Sequence, residues 1–373
     1  MKICLISHAY TEVGYRPILE ALAKEPGVDL ALFTPSQHTF GSGTPTIFGG
    51  SSDRYRIYAL PIHWGSRQGA FIYRLGPLLK ALDEFTPDVI LHEQEVFALG
   101  ALQIAWLANR RSIPLVMFVW ENVYRSLSLP RRLIRNSVLR RTAGLIAGSS
   151  HALRVHRDWG FKGEGQVITQ MGCEVSPNPI VGRRAADAFR VCFAGRLIQS
   201  KGVDTLLRSV ARMASRGFPV KCIIVGQGPE MDSLKALASE LSIADRVVFR
   251  GNVPMKEVFD ILRESDVLVL PSRRTKAWEE QFGRVLVEAM AQATVTVGSR
   301  TGAIPEVIGS DDLIFEEDDD AALADILMRL DKDSDLFLRH QWALWERARS
   351  CYQYEVVAGR KVDLMRRVFL HGS

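Results

Sequence analysis

The sequence predicts an α/β protein of two doubly wound parallel-sheet domains in tandem, and three observations carry the prediction. At 373 residues the chain is long for one hydrophobic core, whereas two domains can each bury a sizeable interior. Short β-branched runs alternate with amphipathic helical stretches from end to end, the pattern of βαβ units. That rhythm breaks at "CEVSPNPIVGRRAADAFR", residues 173–190, and then restarts. The predicted domains are therefore 1–178 and 185–350, with a linker between them that is also a hinge candidate.

In the first half, "KICLIS", "DLALFTP", "DVILHE", "PLVMFVW" and "GLIAGSS" read as strands. Between them "YRPILEALAKEP", "IYRLGPLLKALDEF" and "FALGALQIAWLANRR" read as helices. The Gly-, Ser-, Thr- and Pro-rich stretch "PSQHTFGSGTPTIFGGSS" reads as a mobile surface loop. In the second half "RVCFAG", "KCIIVG", "RVVFRG", "DVLVLP" and "TVTVGS" are predicted strands, with "GVDTLLRSVARMASRG" and "PEMDSLKALASELS" as helices. Two such sheets facing one another would set their strand C-terminal ends, where these folds bind ligands, on either side of a cleft.

Bulk composition narrows the function classes. Hydrophobic residues make up 47% and charged residues 24%, ordinary for a globular protein, and no apolar run reaches membrane-spanning length. The start, "MKICLISHAYTEVG", lacks the pattern of a secretory signal, so the expected location is cytoplasmic. Five scattered cysteines, Cys4, Cys173, Cys192, Cys222 and Cys351, fit buried reduced thiols. A net charge of +5 suits an anionic small molecule or an anionic membrane surface, and no nucleic-acid module accompanies it.

The first strand of the second half ends in "FAGRLIQSKG", which sets Gly195, Arg196, Lys201 and Gly202 in the loop before a helix. Glycine admits close backbone approach, a helix N-terminus offers unpaired N–H groups, and two cations can neutralise a diphosphate. Further on, "EEQFGRVLVE" places Glu280 in a loop and Glu288 about a turn and a half inside the next helix. The amides of Gly283, Arg284 and Val285 then form a second positive helix end. A glutamate inside "VLVEAMA" needs hydrogen-bond donors, and either ribose hydroxyls or a neighbouring basic side chain supplies them. Glu280, before the helix, can reach whatever a diphosphate carries.

With these residues the sequence resembles the family 4 glycosyltransferases, retaining enzymes of GT-B fold that use nucleotide-sugar donors. The resemblance rests on Gly195-Arg196 then Lys201-Gly202, on the glutamate-seven-glutamate spacing around Phe282-Gly283, and on the following "TGAIPEVIG". It covers residues 189–330 closely, and the first half only in layout. It implies that Arg196 and Lys201 bind the donor diphosphate, Glu288 the ribose and Glu280 the transferred sugar. It also sets "GNVP" near the base and Gly14 near the diphosphate, although the double glycine common in relatives is missing there.

The same resemblance implies a metal-independent reaction with no cofactor beyond the donor, and an acceptor, glycan or lipid-linked, on the first domain. Many relatives carry a histidine where this chain has Trp120, followed by Glu121 and Asn122. Trp120 is either a sugar-stacking surface, with Glu121 or Asn122 supplying the polar contact, or a core tryptophan; His92 is either a further cleft-edge candidate or a structural histidine at a strand end. The basic stretch "YRSLSLPRRLIRNSVLRRTAG" brings Arg131, Arg132 and Arg135 beside Leu133 and Ile134, as a helix lying on anionic lipid or as a solvated helix. The acidic "DDLIFEEDDD" reads as a solvated loop and helix start rather than a metal site. By analogy with the fold, a last helix at about 352–373 packs back on the first domain. Two other readings fit the architecture: a nucleotide-sugar epimerase, and a retired transferase serving as a binding subunit.

Overall fold

A computed structural model describes residues 1–39, 46–65, 69–179, 181–182 and 188–372. The chain forms two compact units, one of Met1–Gly172 joined by the segment from Tyr354 onward, the other of Cys173–Gln353. Residues 40–45 of the predicted mobile loop, and 180 and 183–187 of the predicted linker, lie outside the described residues.

The first unit carries β1 (Lys2–Ser7), β2 (Asp29–Pro35), β3 (Gln37–His38), β4 (Thr46–Ile47), β5 (Arg56–Leu60), β6 (Ile62–His63), β7 (Ile72–Tyr73), β8 (Val89–Glu93), β9 (Leu115–Val119), β10 (Gly144–Ala147) and β11 (Glu164–Val167). Seven of these make one parallel sheet in the order β11-β10-β9-β8-β1-β2-β5. Its helices are α1 (Pro17–Lys24), α2 (Leu75–Phe85), α3 (Leu99–Arg110), α4 (Leu129–Leu139) and α5 (Ser150–Asp158). The second unit carries β12 (Phe189–Ala194), β13 (Val220–Val225), β14 (Val247–Gly251), β15 (Val267–Leu270), β16 (Val295–Ser299) and β17 (Ile314–Phe315), parallel in the order β14-β13-β12-β15-β16-β17. Helices α6 (Val203–Ser215), α7 (Met231–Glu240), α8 (Met255–Glu264), α9 (Arg284–Ala291), α10 (Ile304–Ile308), α11 (Asp320–Lys332) and α12 (Ser334–Arg347) belong to it, and α13 (Tyr354–Gly372) returns to the first.

Alternation along β1 shows why these runs are strands. Ile3 and Leu5 enter one core with Leu19 and Leu22 of α1 and Val362 and Met365 of α13, while Cys4 and Ile6 enter another with Leu78 and Leu82 of α2 and Ile104 of α3. A strand covered on both faces has no polar side to alternate with, so it reads as an unbroken apolar run. Helix starts follow local chemistry: Pro17 opens α1, and the side chains of Ser149, Asp319 and Asp333 cap α5, α11 and α12.

One predicted helix is shorter than expected. Ile72 and Tyr73, placed in it by their apolar character, instead pair antiparallel with β6, and α2 begins at Leu75. Partner strands outweighed local helical pattern there.

Each sheet has one point where its strand order reverses direction. In the first unit this lies between β1 and β8, in the second between β12 and β15. Such points leave a crevice beyond the strand C-termini, because the flanking connections run to opposite sides.

Candidate functional site

At the second unit's reversal point the loop after β12 meets the loop after β15. Gly202, the residue before α6, has φ of 63°, and a Cβ on it would lie 2.0 Å from the Pro271 carbonyl oxygen. Only glycine permits that contact, which locks the two loops together. Arg273 reinforces it: its N–H donates to the Ser200 carbonyl at 2.8 Å, and its guanidinium donates to Asp204 at 2.7 Å, Thr205 at 3.0 Å and Asp318.

Loop closure sets Lys201 against Glu280. The ammonium lies 2.5 Å from Oε2, which also accepts from the Ser272 hydroxyl at 2.9 Å, and it sits 4.9 Å from the Trp278 ring centre. The Ala303 N–H fixes the Glu280 carbonyl at 2.8 Å. Lys201 and Glu280, which the sequence assigned to separate parts of a ligand, are thus in direct contact before any ligand arrives. Arg196, beside Gly195, is exposed, and none of the described residues forms an ion pair with it.

Helix α9 opens at Gly283, whose φ of 76° turns the chain into the helix. Its first N–H groups, at Arg284 and Val285, have no carbonyl one turn earlier within the helix. Phe282 is buried edge-on to Tyr352, ring centres 5.7 Å apart. One turn in, Glu288 Oε1 is 2.9 Å from Arg284 Nε, so the basic-neighbour alternative is realised here. Burial nevertheless raises the Glu288 pKa against the pull of Arg284. Cys173 lies close to it: burial first, and the Glu288 charge second, push that thiol up to about 12.

The acidic stretch 311–320 supplies partners for arginines: Asp311 and Glu316 pair with Arg300, Asp318 with Arg273 and Asp320 with Arg212. Among the described residues no group of three or more His, Cys, Asp or Glu is placed to hold a metal ion.

In the first unit, Gly14 lies in a short turn at Val13–Tyr15 with open space where a Cβ would point. His92, read from the sequence as a cleft-edge group, is only 1% exposed. Its Nδ1 is 3.1 Å from the Ile6 carbonyl and its Nε2 3.2 Å from Gln94 Oε1, and burial lowers its pKa to about 4. It is a neutral core histidine. Trp120 is half-buried, edge-on to Phe118 at 5.0 Å, and its ring occupies space that a side chain at Gly148 would need. Its indole N–H donates to Gln170 Oε1 at 3.0 Å. Glu121 and Asn122 are buried; Glu121 accepts from the Val123 N–H at 3.2 Å and pairs with Arg125. On α4, Arg131 and Arg132 are exposed beside Leu129 (66%) and Leu133 (60%), whereas Arg135 lies over the Trp159 ring at 5.1 Å. Arg135 is half-buried by this stacking.

Sequence reasoning passed over a set of polar groups here: the buried Glu93 and Lys361 and the half-buried Glu95 and Gln170. Glu95 Oε1 accepts from the Trp120 and Glu121 N–H groups at 2.8 and 3.1 Å, and burial raises its pKa to about 7. One signal was available. Val357, Ala358, Val362 and Met365 mark the apolar stripe of α13, and Lys361 falls on it at helical spacing.

Comparison with known proteins follows this division of the chain. Residues 12–172 match the family described as Glycosyl transferase 4-like domain, and residues 180–348 the family described as Glycosyl transferases group 1. A D-inositol 3-phosphate glycosyltransferase of Corynebacterium jeikeium is 34% identical over 39% of this chain, and the N-acetyl-alpha-D-glucosaminyl L-malate synthase of Bacillus anthracis 34% identical over 43%. The chain spans 35% and 40% of the length of these two relatives. Among solved structures, sucrose-phosphate synthase from Thermosynechococcus elongatus aligns over 100% of both chains with a TM-score of 0.74 at 20% identity. Anabaena HepE in complex with UDP aligns over 98% of this chain and 100% of its own, with a TM-score of 0.71 at 16% identity. At these identities the likeness shows the fold, that of GT-B glycosyltransferases.

Proposed function

The chain belongs to the family 4 glycosyltransferases, and on that premise we propose that it transfers a sugar from a nucleoside-diphosphate sugar to a glycan or lipid-linked acceptor, with retention and without a metal ion. The observation that carries the reading is the Lys201–Glu280–Ser272 cluster at the reversal point of the second sheet, with the Arg196 guanidinium in the same loop as Lys201. The nucleotide bound to HepE supports a nucleoside diphosphate as the leaving group.

Breaking an anomeric carbon–oxygen bond builds negative charge on the departing diphosphate. Arg196 and Lys201 stabilise that charge more in the transition state than in the ground state, the condition for rate acceleration. Each preorganised donor of this kind contributes about 3–4 kcal/mol. Lys201 is held in place by Glu280 beforehand, so little reorganisation accompanies its use. Glu280 then faces the transferred sugar, the N-terminal amides of α9 face the phosphates, and Glu288 exchanges part of its pairing with Arg284 for ribose hydroxyls. The cations take the charge-neutralising role that a divalent metal has elsewhere.

Thermal shift against UDP, GDP and ADP tests the donor class: one of them should raise the unfolding midpoint, because a ligand selective for the folded state stabilises it by mass action. Turnover should survive dialysis against a chelator, and proton NMR of the first product should show the donor's anomeric configuration. No stabilisation by any of the three nucleotides overturns the reading.

Peripheral membrane contact is part of the same proposal, supported by the exposed Leu129 and Leu133 that flank the exposed Arg131 and Arg132 of α4. Charge reversal at Arg131 and Arg132 should weaken binding to vesicles containing anionic lipid; unchanged binding removes this element. Among the described residues no helix is long and apolar enough to cross a membrane.

A further inference from the structure

We infer that Lys361, on the C-terminal helix, is a positioning residue for Trp120, acting through Glu93 and Gln170. The inference rests on the first of the two readings that the sequence left open for Trp120, a surface that stacks on a sugar, rather than a core tryptophan. It adds a residue that no motif marks, 241 positions further along the chain (361 minus 120).

The chain of contacts runs from a buried ion pair to the half-buried Gln170 and Trp120. The Lys361 ammonium is fully buried, donates to the Gln170 carbonyl at 2.6 Å, lies 3.5 Å from Glu93 Oε1 and sits 5.5 Å from the Phe118 ring centre. Glu93 Oε1 also accepts from the Tyr10 hydroxyl at 3.0 Å, and its Oε2 accepts from Gln170 Nε2 at 2.8 Å. The remaining end of Gln170, Oε1, accepts from the Trp120 indole at 3.0 Å. These side chains come from the C-terminal ends of β8 and β9, the turn after β1, the segment after β11, and α13.

Donor and acceptor types make this arrangement directional. An ionised carboxylate only accepts, so it compels Gln170 to turn its NH₂ toward Glu93; its oxygen then faces the indole, which only donates. A neutral acid at position 93 could donate, and the amide would have no reason to prefer that orientation. Lys361 supplies the counter-charge beside the Glu93 side chain, where an unpaired carboxylate is costly. The lysine thus sets the indole's hydrogen bond at two removes. Burial lowers the Lys361 pKa, and the Glu93 charge opposes that shift.

A purely structural ion pair would hold α13 in place without influencing Trp120, and the test separates the two. Lys361→Met leaves Glu93 unpaired and can fail to fold, so Glu93→Gln/Lys361→Met, which removes both charges, and Gln170→Leu, which cuts only the last link, accompany it. The readouts are the Trp120 indole ¹⁵N–¹H resonance, assigned by its loss in Trp120→Phe, thermal stabilisation by UDP, and UDP release from UDP-glucose. We expect the resonance to move in the double variant and in Gln170→Leu, with turnover falling about tenfold to a hundredfold, as misplaced positioning groups cause, and UDP stabilisation unchanged. An unmoved indole resonance in the double variant overturns the inference, as does full turnover there when Trp120→Phe is impaired. If Trp120→Phe itself keeps full turnover, the sugar-contact reading fails while the resonance still decides the role of Lys361.

Discussion

Both units place a lysine against a glutamate where their sheets reverse order, yet the two pairs are built differently. In the first, the Lys361 and Glu93 side chains are 0% and 1% exposed and 3.5 Å apart; in the second, those of Lys201 and Glu280 are 14% and 9% exposed and 2.5 Å apart. Glu93 accepts from Tyr10 and Gln170, one bond on each oxygen, and the ammonium donates to the Gln170 carbonyl. Around Lys201 the other contacts are softer, an aromatic face and a serine hydroxyl on the shared oxygen. Deep burial among fixed polar partners makes the first pair a strut. On the proposed reading, the softer surroundings of Lys201 make a socket that a phosphate can enter.

Stability measurements give the widest separation. Lys361→Met should lower unfolding free energy by about 3–5 kcal/mol, the cost of orphaning a buried charge, and Lys201→Met by less, because Glu280 is less deeply buried and keeps the Ser272 hydroxyl. Urea unfolding of the two variants checks this, and equal midpoints would erase the contrast. Turnover should show the reverse ranking, with a loss at Lys201 of about 3–4 kcal/mol in transition-state stabilisation. A Lys201→Met enzyme with wild-type turnover would remove the socket reading.

Gly202→Ala sharpens the comparison from the backbone side. It puts a Cβ 2.0 Å from the Pro271 carbonyl oxygen at a positive φ, so a cost of about 1–3 kcal/mol is expected. Nucleotide stabilisation should weaken with it, because the loop carrying Lys201 must shift. No change in either would mean the loops move independently.

The smallest effect is a slope. Glu95 holds its proton in the folded state up to about pH 7, against 4.5 for the free side chain, because burial outweighs its two backbone donors; the Glu121 charge adds to the rise and Arg125 opposes it. Between those pH values the folded state binds more protons than the unfolded one, so stability falls as pH rises, by up to about 1.4 kcal/mol per pH unit. Glu95→Gln should flatten that dependence, and an identical slope in the variant would show that other groups produce it.

Much of the fold is legible in the residue order. β1, β8, β9, β12 and β15 are apolar runs because parallel strands covered on both faces have no wet side. β11 and β17 are not legible: one is four half-buried residues, "EGQV", and the other has two residues, at the sheet edges where little burial shapes composition. Arg196, Lys201, Glu280 and Glu288 stand out because glycine and the following helix frame them. Their pairing does not, since Lys201 and Glu280 are 79 residues apart.

The sequence alone determined which segments are apolar and which loops bring glycine and cations to strand ends, because each follows from side-chain polarity and backbone freedom within a few residues. Tertiary structure alone decided that Lys201 is held by Glu280, that His92 is sealed in the core, and that a lysine of the last helix meets Glu93. A partner for a buried charge depends on which strands become neighbours, and that is a property of the closed chain, absent from any local stretch of it.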